Sequence, residues 1–385
     1  MKLVFYSVVL NHHQAGVADE LYGILGDGYR FVELTACNDT KGGAGDFGGR
    51  PYLIRSWRSA SEYAEAMELA KTAEVCVFSG FEALPFEKER MRLGLLSFDM
   101  GERLLKRGWI NLLSPRISKM IFAYFWHDWR KKPLYKLCNS GFTASDCRKL
   151  GMFLGKCYKW GYFTPVSRDF ELDVPEDDDK NVSIMWCARF LTLKHPELVI
   201  EMAKILKNKA YDFVVDIYGD DAGVGAHERA FSRQRLEALI NACGVGDRVR
   251  LHGRLPNSEI IAAMRRHQIF LFTSDRREGW GAVTNESMAN GCVLVASDAI
   301  GSTPYLVRDG YNGLVFRSGD VASLTEKVEW LLCHPVERAQ MRLNALTTMR
   351  TLWNPHNAAV SLMKLIDNIS QGSALGIDEG PCSET

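Results

Sequence analysis

The chain has 385 residues, with 47 Lys and Arg against 47 Asp and Glu, so its formal net charge is zero. A neutral molecule offers no overall attraction for a polyanion, which sets nucleic acid aside as a partner. At this length one hydrophobic core is outgrown, and two domains with a linker and tail are expected.

The ten cysteines include no C-x-x-C pair and mostly sit inside apolar runs. They read as buried thiols of a reducing compartment rather than as a disulfide framework. No apolar run approaches the ~18 residues of a membrane span. The opening run 3–10 is followed by Asn11, His12, His13 and Gln14, with no small-residue cleavage site. A first β-strand is therefore expected there rather than a signal peptide, and the protein is expected to be cytoplasmic.

Continuous apolar runs of strand length follow at 31–37, 75–79, 93–98, 183–188, 213–218, 269–273 and 293–297. Such runs suit strands buried on both faces of a parallel sheet. Helical periodicity lies between several of them, as at 196–207, 235–242 and 259–266. The alternation predicts an α/β protein with doubly wound parallel sheets. The series starts twice. Residues 171–180 carry six acids and one base, which no core would accept, and they read as a linker. The expected divisions are an acceptor-side domain at 1–170, the acidic linker at 171–180 and a second domain at 181–353. A helix at 354–370 is expected to pack back on the first domain, ahead of a disordered tail at 371–385. Two such units would face each other across a cleft at the carboxyl ends of their strands.

Residues 43–48 match G-x-G-x-x-G, but Arg50, Pro51 and Tyr52 follow with neither cap nor helical period. A dinucleotide fingerprint needs a helix opening there, so this run reads as a surface loop. The informative stretch is 278–291, which stands between the runs 269–273 and 293–297. Gly279 and Gly281 let backbone N–H groups approach a ligand closely. Thr284 is expected to cap a short helix through Met288, closed by Gly291. Glu278 and Glu286 flank this turn. As the carboxylate pair of a retaining hydrolase they would have to stand ~5–5.5 Å apart, for which eight intervening steps of chain give no reason. Solvated surface glutamates are the plain alternative.

The stretch from Glu278 through Trp280, Thr284 and Glu286 to Gly291 resembles the E-x₇-E region of retaining, family-4-type glycosyltransferases of the GT-B fold. Ala188, Arg189 and Phe190 followed by Lys194 and His195 are similar to that family's G-R-…-K-G. Residues 248–255 resemble its V-x-F-x-G strand and loop. Residues 309–316 with Gly319 and Asp320 resemble its D-G-x-N-G-L-L-V…G-D. The resemblance runs in order over about 181–369. It implies a GT-B fold of two Rossmann-like domains, and transfer of a hexosyl unit from a nucleotide sugar to a hydroxyl acceptor with retention.

The resemblance also implies roles. Glu286 would bind the ribose hydroxyls, and Glu278 a hydroxyl of the sugar, helped by the backbone of Gly279, Trp280, Gly281, Ala282, Val283 and Thr284. Arg189 and Lys194 would grip the diphosphate, and the backbone at Arg254 and Leu255 the base. Fixed cations stabilise a departing diphosphate without a metal, so no metal and no cofactor are expected, the nucleotide sugar being a substrate. Surface ion pairing is the plain alternative for Arg189 and Lys194.

On the acceptor side, His12, His13 and Gln14 stand where family members carry a glycine-rich loop. Acceptor contact and a mere loop are both open for them. Asp99 and Glu102 lie nearest the place of the family's cleft histidine. Tyr305 replaces the acid that commonly follows the proline at 304. A nucleotide-sugar epimerase or phosphorylase of the same fold, or an inactive sugar-binding module, are the alternative functions.

The charge is unevenly spread. Residues 102–136 hold nine Lys and Arg against two acids, with seven aromatics. That combination suits the headgroup level of an anionic bilayer, and hence polysaccharide or glycolipid assembly at the inner face of the membrane. A core helix with solvated lysines is the other reading.

Overall fold

The computed structural model describes residues 1–36, 47, 49–167, 169–172, 182–222 and 230–385. Two compact units emerge, one formed by Met1–Pro165 with Trp353–Thr385 and the other by Val166–Leu352. The glycine run 43–48, Phe47 apart, lies outside the described residues. So does the acidic stretch 171–180 beyond Glu171 and Leu172.

The first unit runs β1 (Leu3–Ser7), α1 (His12–Leu25), β2 (Tyr29–Glu33), β3 (Leu53–Arg55), α2 (Ala60–Thr72), β4 (Val75–Ser79), α3 (Leu84–Leu93), β5 (Ser97–Gly101), α4 (Pro115–Trp126), β6 (Leu134–Cys138), α5 (Thr143–Lys149) and β7 (Cys157–Lys159). Its sheet has the order β3-β2-β1-β4-β5-β6-β7. Every pairing is parallel, with Leu3 opposite both Tyr29 and Val75. All five residues of β1 are buried, as helices on both faces of a parallel sheet require. The run at 93–98 divides: Leu93 ends α3, and β5 begins at Ser97.

His12, His13 and Gln14 are not loop, because Asn11 accepts a hydrogen bond from His13 N and starts α1 there. A buried Arg90 ties α2, β4 and β5 together. Its guanidinium donates to the carbonyls of Ala70, Ala73, Glu74 and Leu96 at 2.6–3.1 Å.

The second unit runs β8 (Val182–Cys187), α6 (Pro196–Asn208), β9 (Phe213–Tyr218), α7 (Arg233–Cys243), β10 (Val249–Gly253), α8 (Asn257–Arg266), β11 (Ile269–Phe272), α9 (Val283–Ala289), β12 (Val293–Ser297), α10 (Thr303–Leu306), β13 (Gly313–Phe316), α11 (Val321–Cys333) and α12 (Pro335–Thr351). Its parallel sheet has the order β10-β9-β8-β11-β12-β13. Trp186, Ile217, Leu271 and Val295 belong to one hydrophobic core with Leu206 and Val328 of the helices.

The chain ends with α13 (Pro355–Gln371), which returns to the first unit and packs on α1. A Cβ on Gly16 of α1 would meet Pro355 Cγ at 2.8 Å. The tail expected to be disordered is instead paired. Lys159 N donates to Ser383 O at 2.8 Å, Cys382 N donates to Lys159 O at 2.7 Å, and Cys382 is fully buried. Backbone pairing to β7 and one buried thiol hold a sequence too polar and too rich in glycine to show a period.

Candidate functional site

In both sheets the strand order reverses beside the first strand, between β1 and β4 and between β8 and β11. Ligands of doubly wound sheets bind outside the carboxyl ends of the strands at that switch. In the second unit the segments leaving β8 and β11 carry Arg189, Lys194 and Glu278.

Two hydrogen bonds, one of them fully buried, set their positions. Trp186 Nε1, on β8, donates to Thr273 Oγ1 at 2.9 Å, and that hydroxyl donates to Lys194 O at 2.5 Å. Asp275 N then donates to Leu193 O at 2.9 Å. The Lys194 ammonium, held 5.4 Å over the Phe272 ring, pairs with Glu278 Oε2. Both side chains are largely buried, so each is a charge held by the other at the sheet's end.

The glycine turn is built against the same ring. Gly281 has φ +84°, and a Cβ there would lie 2.4 Å from Phe272 Cε1. Only glycine fits. Trp280 is buried and donates from Nε1 to Asn285 Oδ1 at 2.8 Å, and its ring lies 6.1 Å from that of Tyr305. Tyr305 thus brings an aromatic ring, in place of an acid, beside the turn. Thr284 does not cap α9. That place falls to Ala282, while Thr284 lies one residue inside the helix with its hydroxyl on Ser302 Oγ at 2.9 Å. A buried hydroxyl partner outweighed the cap.

Glu286 sits in the first turn of α9, and burial pushes its carboxyl up to about 7. Burial also pushes the Cys187 thiol up to about 12, with the Glu286 charge adding to the shift and Lys194 opposing it. Cys187, Glu286 and Lys194 therefore share one electrostatic environment. Arg189 is exposed on the loop leaving β8. Arg254 and Leu255 lie in the loop leaving β10. That loop is drawn in where Gly219 N donates to Gly253 O at 2.8 Å. A Cβ at Gly219 would lie 1.9 Å from Ala188 O, so β8, β9 and β10 converge at their ends.

His195 escaped the sequence reading as a functional residue. It stands where the resembling motif has glycine after lysine, and its φ of +51° explains that preference. Its Nδ1 lies 2.7 Å from Glu197 Oε1 and its Nε2 3.3 Å from Asp275 Oδ2. Contact with Asp275 and then Glu197 raises it to about 9, against the opposing effect of burial. It is an imidazolium at neutral pH, adjacent to Lys194. Burial would raise Asp275, but hydrogen bonds from His195 and Arg277 outweigh it and hold the carboxyl well below its usual range.

In the first unit, the acceptor-side residues separate into two groups. The His13 ring stacks on Tyr162 with centroids 5.2 Å apart, and Tyr162 OH donates to Glu102 Oε1 at 3.1 Å. The His12 and His13 rings lie 3.6 Å apart, closer than adjacent residues usually come. Burial, then the neighbouring His12, lowers His13 to about 3, so its ring is neutral. Gln14 reaches Ser7 Oγ at 3.3 Å. Asp99 stands apart, paired with the buried Lys136 at 3.0 Å. Beside that pair burial, then the Asp99 charge, raises the Glu87 carboxyl well above its usual range, with Lys136 opposing.

Residues 167–347 match the family model described as glycosyl transferases group 1. The D-inositol 3-phosphate glycosyltransferase of Thermobifida fusca is 28% identical over 186 residues, which are 46% of this chain and 41% of that protein. The chain therefore spans well under half the length of the curated relatives it matches. Among solved structures, sucrose-phosphate synthase from Thermosynechococcus elongatus superposes with a TM-score of 0.69 at 14% identity, covering 97% of this chain and 100% of that one. HepE of Anabaena in complex with UDP gives 0.68 at 15%, covering 94% and 99%. No described helix is long and apolar enough to cross a membrane. The fold is the GT-B fold, and residues 167–347, just under half of the chain, are similar to the glycosyl transferases group 1 family.

Proposed function

We propose that this protein transfers a hexosyl unit, with retention, from a nucleotide sugar to a hydroxyl acceptor, and does so without a metal or cofactor. The single observation that carries the reading is the Lys194–Glu278 ion pair at the carboxyl ends of β8 and β11, beside a glycine turn and the half-buried Glu286. Glu286 accepts from the ribose hydroxyls and Glu278 from a sugar hydroxyl. The turn 279–284 lends its backbone, and the backbone at Arg254 and Leu255 holds the base. A bound diphosphate competes with Glu278 for Lys194. Together with Arg189 and the His195 imidazolium, that lysine neutralises the charge growing on the leaving group. HepE, a structural neighbour, was solved with UDP-glucose, which favours a uridine nucleotide here as well.

His12, His13, Gln14 and Glu102 contact the acceptor, whereas Asp99 serves the buried pair with Lys136. The acceptor is lipid-linked and belongs to polysaccharide or glycolipid assembly on the inner face of a membrane. Thermal shift against a panel of nucleotide sugars tests the donor half. A ligand at a hundred times its Kd adds ~2.7 kcal/mol, several degrees for a protein of this size. Donor consumption then discriminates: transfer needs an acceptor, epimerisation does not, and a phosphorylase needs phosphate. A flat melt across the whole panel would overturn the donor assignment.

A further inference from the structure

The basic, aromatic stretch after β5 divides between core and surface. Tyr124 and Trp129 are buried, so part of it is ordinary core. The rest faces outward. Trp109 and Ile110 are about 60% exposed, Leu113 80% and Trp126 72%, with Phe122 and Phe125 exposed beside them. On α4 the rings of Phe122 and Trp126 stack at 5.1 Å on the solvent side, whereas Ala123 and Tyr124 turn inward. Six large apolar side chains within eighteen residues are more than a lone protein surface usually leaves in water.

What surrounds them decides what covers them. Arg107, Arg116 and Lys119 are exposed among the same residues. Arg130 and Lys131 contribute less, since both pair with Asp128, at 2.6 and 2.5 Å. Directly after Trp126, His127, Trp129 and Lys132 line an open groove of about 720 Å³ whose other wall carries Lys71 and Lys88. Among the described residues that line it the one acid, Glu89, is paired with Arg92 at 2.9 Å. Exposed indoles and phenyls edged by cations, beside a groove of net positive charge, match acyl chains beneath anionic headgroups.

We propose that the face formed by residues 107–126, with the groove at 127–132, docks on an anionic phospholipid bilayer. Trp109, Leu113, Phe122 and Trp126 enter the interfacial layer, Arg107, Arg116 and Lys119 meet headgroup phosphates, and the groove takes a further headgroup. The purpose of this docking rests on the lipid-linked acceptor proposed above; the docking itself is measured apart from it.

The test uses the full chain with vesicles of phosphatidylcholine alone and of phosphatidylcholine mixed with phosphatidylglycerol. Sedimentation gives the partitioning, and brominated acyl chains report whether indoles are quenched. Partitioning is expected to be at least about tenfold stronger on anionic vesicles and to weaken with salt. Trp109→Ser with Trp126→Ser should abolish both binding and quenching. Arg116→Gln with Lys119→Gln should erase the preference for anionic lipid. All these variants should keep the parent's thermal shift with UDP, since every replaced side chain is exposed. Equal partitioning on the two vesicle types, no binding to either, or patch variants that bind like the parent overturns the proposal. So does a dimer that dissociates in the tryptophan variant, which would assign the face to a second copy of the chain. A missing UDP shift in the parent counts against the donor site alone.

Discussion

Glu278 and Lys194, eighty-four residues apart in the chain, form one ion pair at the ends of β11 and β8. If the diphosphate draws Lys194 away, each partner should register in a different measurement. Lys194→Ala should weaken UDP by ~1.5–3 kcal/mol, the range for charged hydrogen bonds. Glu278→Gln should leave UDP affinity within about threefold, because it also frees the lysine, while lowering kcat much further. Calorimetry with UDP and a turnover assay separate the two. Equal losses of affinity in both variants would falsify the division of roles.

Glu286 sets a pH dependence. Its carboxyl titrates at about 7 in the folded chain because it is buried, against about 4.3 when unfolded. The folded pKa is raised, so its contribution is fully present below the unfolded value and is lost as pH rises towards 7. That loss amounts to up to ~4 kcal/mol. Glu286→Gln should remove this decline, seen by urea unfolding between pH 4.5 and 8. Ribose hydroxyls favour the carboxylate, so UDP affinity should rise through pH 7 in the parent and stay flat in the variant. Calorimetry in two buffers of different ionisation enthalpy would report the released proton.

His195 acts in a different window. Its pKa is raised to about 9 by Asp275 and Glu197, so its stabilisation is complete below about 6.5 and fades as pH climbs to 9. His195→Asn tolerates the left-handed backbone but carries no charge. It should cost ~1–3 kcal/mol at pH 6 and little at pH 9.5. A cost independent of pH would assign His195 to packing alone.

The proposed metal independence rests on the same cations. If Arg189, Lys194 and the His195 imidazolium neutralise the leaving group, turnover should survive a chelator unchanged. Loss of Arg189 and Lys194 together should nearly abolish it. Activity that dies in chelator and returns with magnesium would transfer the charge-neutralising role to the ion.

Gly281→Ala tests the turn. The new Cβ would press on the Phe272 ring at 2.4 Å and would hold an L residue at φ +84°. Crowding of ~1–3 kcal/mol and left-handed backbone of ~1–2 kcal/mol act together, and UDP affinity should fall with stability. A melt within a degree of the parent would mean the ring moves freely.

The order of elements, the two parallel sheets, and the turn bearing Glu278 and Glu286 were legible in the sequence. Strand length, apolar continuity and the glycines at 279 and 281 are local properties, and each residue carries them wherever the chain goes. Pairing and burial are not local. The ion pair of Lys194 depends on β11 lying beside β8, and the imidazolium of His195 depends on Asp275, eighty residues away. The carboxyl of Glu286 is raised because surrounding structure excludes water, which its neighbours in sequence do not reveal. The same separation explains the tail and the aromatic helix. Residues 372–385 look like solvent-loving chain until β7 pairs with them. Residues 115–126 show a helical period that cannot say which aromatics face water, because that depends on what the rest of the first unit leaves uncovered. Composition and period were enough to fix the architecture; the charge state of each site residue, and the side of each ring left bare, followed only from which distant strand came to lie alongside.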